Sequence, residues 1–121
     1  MTDALSIAQS ALSAMGTTMA VAANNVANAA TDGYRSREAR LETGPDGQGV
    51  RVADIAPDAP PAGLPAEGGP ARPGVDLAAV SDVDLAGQVV SMTLASRTFE
   101  ANAAVIRTAD DMAGTLLDLR I

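Results

Sequence analysis

Asp82 and Asp84 come nearer than any other residues in this 121-residue chain to a reactive pair. Two carboxylates in a cleft are what a hydrolase uses as general acid and base. The rest of the usual catalytic set is missing. There is no His to work near neutral pH, no Cys for a thiolate and no Lys for a Schiff base, which leaves carboxylates, hydroxyls, Tyr34 and eight Arg. Asp82 and Asp84 also stand, with Ser81, just ahead of a helical run, where short side-chain oxygens satisfy free amides of the first turn. Capping accounts for them, and the chain is not expected to be an enzyme. Asp46-Gly47 suggests a calcium loop, but the spaced carboxylates of such a loop are lacking. No metal, cofactor or small-molecule substrate is expected.

Three amides remain. Asn24, Asn25 and Asn28 fall within five positions, more than a helix stop requires. Asn24 and Asn28 share a helix face, where each amide can donate to and accept from a packed partner helix. Alternatively they belong to a solvated helix end, since Asn competes with the helical backbone for hydrogen bonds.

These residues need positioning elements, and apolar spacing supplies them. Leu5, Ala8, Leu12, Met15, Met19, Ala22, Val26 and Ala29 recur at alternating intervals of three and four, one continuous seam along a helix from about Asp3 to Asn28. A second helix, from about Asp84 to Leu119, carries Leu85, Val89, Met92, Phe99, Ala103, Ile106, Ala113, Leu116 and Leu117. Asp32-Gly33 ends the first helix by turn chemistry. Gly16 within it reads either as a tolerated defect or as a point of close helix approach. Between the helices, Glu38–Thr43 and Val50–Ile55 alternate polar with apolar around the turn formers Gly44 to Gly49, which predicts a β-hairpin. From Ala56 to Gly74 lie six of the seven prolines, an extended connector; Pro60-Pro61 with Pro65 fits a spacer better than a polyproline ligand.

The fold class is therefore mainly α with a small β part: two long terminal helices pairing antiparallel, with a β-hairpin and a Pro/Gly-rich connector between them. The divisions fall at residues 1–34, 35–83 and 84–121. Both seams together are longer than one small chain can hide, so burying them calls for other chains.

Net charge is −7 with no basic cluster, which argues against nucleic acid. Ala27-Asn28-Ala29 has the form of a leader-cleavage site, but Asp3 lies where positive charge belongs and the first basic residue is Arg35, so no cleaved leader is expected.

The run Leu12-Ser13-Ala14-Met15, with Val21-Ala22-Ala23-Asn24-Asn25-Val26-Ala27-Asn28-Ala29-Ala30-Thr31-Asp32-Gly33-Tyr34-Arg35, resembles the N-terminal signature of bacterial flagellar rod, hook and hook-associated proteins. Val83-Asp84-Leu85, Val89-Val90-Ser91-Met92, Ser96-Arg97-Thr98-Phe99-Glu100-Ala101-Asn102 and Val105-Ile106-Arg107-Thr108-Ala109-Asp110 are similar to that family's C-terminal helix. Short length and the segment Gly49 to Ile55 resemble the proximal-rod type. Asp32 stands where the family usually has Pro, Gly87 where a charged residue is common, and the middle is shorter than in typical rod proteins, marking a short or divergent member.

The resemblance implies a structural subunit of the flagellar basal-body rod, a homo-oligomer stacked into a periplasm-spanning drive shaft. It further implies export by the flagellar type III apparatus, and other rod, hook and basal-body proteins as partners. It implies an assembly interface of Leu5, Leu12, Met15, Met19, Asn24, Asn25, Asn28, Met92, Phe99, Asn102, Ile106 and Leu116. The alternative is a soluble helical adaptor or export-regulating protein that binds one partner helix.

Overall fold

The computed structural model describes residues 2–57 and 81–119. Helix α1 spans Thr2–Ala27, strand β1 Arg37–Thr43, strand β2 Val50–Pro57 and helix α2 Leu85–Asp118. The connector expected from Ala56 to Gly74 lies, beyond Pro57, outside the described residues, as does the approach to α2 before Ser81.

At 1.5 Å per residue, α1 is about 39 Å long and α2 about 51 Å. They run antiparallel: Asn25, near the end of α1, bonds to Gln88 in the first turn of α2. Equal rise from that point brings Thr2 level with about residue 111, so the last two turns of α2 extend past α1. No helix among the described residues is long and apolar enough to cross a membrane.

Helix α1 ends where the Asn residues begin to compete for its backbone. The Asn28 side chain donates to the Asn24 carbonyl at 2.9 Å, and successive turns close through Thr31 and Tyr34, with Gly33 at φ 72°. At the start of α2 the Asp84 carboxylate accepts from the Ala86 amide at 3.2 Å, the capping expected of it. On the exposed side of α2 Arg97 pairs with Glu100 at 3.3 Å.

The hairpin pairs antiparallel from Arg37↔Pro57 to Thr43↔Val50, and its tip holds one short 3-10 turn, Pro45–Gly47. Arg40 faces Asp54 but Leu41 faces Val52, which leaves Ala53 as a bulge. Alternation therefore breaks mid-strand.

The hairpin lies along α1, which stands between it and α2. Near the tip, the Val50 amide donates to Ser10 Oγ at 3.2 Å, while that hydroxyl donates to the Ile7 carbonyl at 2.7 Å. Gly49, at φ 68°, passes so close to Ser10 that a Cβ there would collide with the hydroxyl. The buried side chains between elements are small: Ala8, Ala14, Ala22, Ala95 and Ala109.

Candidate assembly interface

Asn25 is fully buried and uses its whole hydrogen-bonding capacity. Its Oδ1 accepts from the Arg37 amide and the Tyr34 hydroxyl, each at 3.0 Å. Its Nδ2 donates to the Arg37 carbonyl at 2.7 Å and to Gln88 Oε1 at 3.0 Å. One side chain thus joins the end of α1, the start of β1 and the start of α2. A second tie lies alongside. Asp82 Oδ1 accepts from the buried Ser36 amide at 2.6 Å, its other oxygen lies 3.6 Å from Arg35, and its own amide reaches the Tyr34 carbonyl at 3.4 Å. Asp82 and Asp84 therefore serve backbone amides, and among the described residues no three carboxylates converge on one point.

The other two amides turn elsewhere. Asn24 is exposed, and its Oδ1 lies 2.9 Å from the Tyr34 hydroxyl, whose single hydrogen it shares with Asn25. Asn28 bonds to Asn24 and accepts from Thr31, all within the same turn. Among the described residues neither bonds to α2; of the three amides only Asn25 does.

Leu5, Leu12, Met15 and Met19 of α1 are half-buried. On the hairpin side of α1, Ser10 anchors the tip, and Thr17, Val21 and Asn24 line a shallow groove with Tyr34, Arg37 and Ile55. On α2, Met92, Asn102 and Ile106 are half-buried and Phe99, 36% exposed, sits at the edge of the contact. The Asn102 side-chain amide donates to the Thr98 carbonyl of its own helix at 2.9 Å. Leu116 lies on the overhang and is exposed.

The inner face of α2 has a regular row that a search for large apolar side chains passes over. Gln88, Met92, Ala95, Phe99, Asn102, Ile106, Ala109 and Ala113 are spaced four and three in strict alternation, and Ala95 and Ala109 are its most buried members. The signal was present in the small residues. About a third of a turn away runs a second row, Val90, Leu94, Val105, Met112 and Leu119, and every one of these is exposed. Leu85, Val89, Leu116 and Leu117 are exposed as well. Neither α1 nor the hairpin covers this surface.

A long antiparallel helix pair, a hairpin clasped to the shorter helix and an uncovered apolar row along the longer one define a helical structural module whose distinctive feature is surface. Residues 5–35 match the family described as flagella basal body rod protein, and residues 79–119 the family described as flagellar basal body rod FlgEFG protein C-terminal. The flagellar basal-body rod protein FlgC of Yersinia enterocolitica is 35% identical over 113 residues, covering 84% of this chain and 84% of that protein. The FlgC protein of Escherichia coli O6:H1 is 34% identical over 117 residues, covering 88% and 87%. The chain belongs to the flagellar basal-body rod protein family.

Proposed function

We propose that this chain is a structural subunit of the bacterial flagellar basal-body rod and assembles through its terminal helices into the axial drive shaft. The observation that carries the reading is the uncovered apolar row of α2, from Val90 to Leu119, on a chain of this family. Water-exposed apolar surface of that length is an association surface, and a second helix laid along it buries it most completely. Copies of the same chain, with other rod, hook and basal-body proteins, are the partners. The assembly interface combines the outer row and the overhang with the seam residues Leu5, Leu12, Met15, Met19, Asn24, Asn25, Asn28, Met92, Phe99, Asn102, Ile106 and Leu116. Those of the set that lie between α1 and α2 act indirectly, by holding the pair that presents the outer face. Export through the flagellar type III apparatus belongs to the same reading and is supported by the family to which the chain belongs.

The test is Leu116→Asp in a strain lacking the native copy, following secretion, swimming and the content of purified hook–basal bodies. Normal secretion with no incorporation and no swimming is the expected result. Wild-type swimming would refute the assembly role. A defined heterodimer that never enters basal bodies would favour the adaptor instead.

A further inference from the structure

We propose that Asn25 is the register lock of the helix pair, and that through it the docking of α2 and the seating of the hairpin become one event. The need for a lock follows from the contact itself. Both inner rows repeat every seven residues and are built mainly from Ala, Leu, Met, Ile and Phe; on α2 Gln88 and Asn102 interrupt the row, and the Asn102 amide donates within its own helix. Sliding α2 by seven residues, about 10 Å, sets a similar row against α1 again, so apolar contacts alone separate the registers weakly. Asn25 does separate them. In the native register one Nδ2 hydrogen meets Gln88 Oε1 at 3.0 Å. A slide in one direction brings Ala95, whose methyl group accepts nothing, and a slide in the other brings the chain before the helix, which starts at Leu85. Since Asn25 is fully buried, water does not replace the lost acceptor. An unsatisfied buried donor disfavours the shifted register by roughly ten- to a hundredfold.

The same side chain reads the hairpin. Arg37 gives Asn25 its amide hydrogen and takes one back on its carbonyl, at 3.0 and 2.7 Å. Asp82, three residues before α2, holds the Ser36 amide at 2.6 Å. A slide of α2 pulls on both ties, and the only other hydrogen-bonded anchor between hairpin and α1 among the described residues is Ser10 with Val50.

The chain has no Cys, so introduced pairs report register cleanly. By the Asn25–Gln88 alignment, Ala8→Cys with Ile106→Cys reports the native register, and Ala8→Cys with Ala113→Cys reports a seven-residue slide. In the full-length chain, oxidised and resolved as monomer on a gel, only the native pair is expected to close. Adding Gln88→Leu removes the acceptor on α2 and leaves every hairpin bond of Asn25 intact. We expect shifted-pair closure to rise about tenfold or more, with faster amide exchange at Arg37. Asn25→Leu should give the same shifted closure, but Gln88→Leu decides the matter if that variant does not fold. Unchanged closure in Gln88→Leu, or loss of helicity in it, overturns the lock, because a lock governs which register is chosen and not whether apolar faces meet.

Discussion

Met92→Glu and Leu94→Glu put the same charge two residues apart on α2, on faces with different duties. Leu, Met and Glu are near-equals as helix formers, so the helix itself is little disturbed by either. Met92 is half-buried against α1. Burying a Met or Leu side chain in full is worth roughly 1.5–3 kcal/mol, and a desolvated carboxylate adds to the loss, for a total of about 2–4 kcal/mol. For a domain of this size that lowers Tm by on the order of 10–20 °C. Leu94 is 66% exposed, so only a third of its burial is at stake in the lone chain, under ~1 kcal/mol. In an assembly the remaining two-thirds is what a neighbour covers, about 1–2 kcal/mol at each copy of the contact, and a carboxylate opposes that closure further. Leu94→Glu should therefore melt within a few degrees of the parent by circular dichroism and be secreted normally. It should be missing from purified hook–basal bodies and leave a deletion strain unable to swim. Met92→Glu should lose thermal stability outright. Incorporation of Leu94→Glu at parental levels would refute the outer row as the assembly surface; equal melting of the two variants would refute the division of α2 into an inner and an outer face.

Two further outcomes test local geometry. A methyl group on Gly16 meets nothing within 4 Å, so Gly16→Ala should stabilise the isolated chain by roughly 0.5–1 kcal/mol in a urea melt; destabilisation would mean that α1 is approached there after all. Gly49→Ala meets both a positive φ and the Ser10 hydroxyl, and should cost about 1–3 kcal/mol with loss of exchange protection at the Val50 amide; unchanged protection would remove Ser10 as the hairpin anchor.

On α1 the large side chains Leu5, Leu12, Met15 and Met19 keep the three–four rhythm, and all four are half-buried. On α2 the same reading blurred. Its inner contact is made by Ala95, Ala109 and Asn102, while Leu94, Val90 and Leu117, more apolar by any scale, stay outside. Hydropathy ranks side chains by their tendency to leave water, yet close helix approach selects small ones, and the two criteria choose different rows. The open Gly16 shows the converse, a glycine that no neighbour among the described residues requires. The cluster of Asn residues was visible, but not that Asn25 alone turns inward, because that depends on a direction lying between α2 and the hairpin, both distant in sequence. The hairpin tip followed from its glycines and Pro45; the bulge at Ala53 did not, since nothing in the residue type marks it.

The alanine contact between the helices has an energetic corollary. Each of Ala8, Ala14, Ala22, Ala95 and Ala109 removes little more than one methyl group from water, about 0.8 kcal/mol apiece. A single molecule held this way keeps a thin margin against thermal and mechanical unravelling. Among the described residues most of the exposed oily area sits on the outside of α2, so a neighbour laid along that helix would add the stiffness the lone molecule lacks.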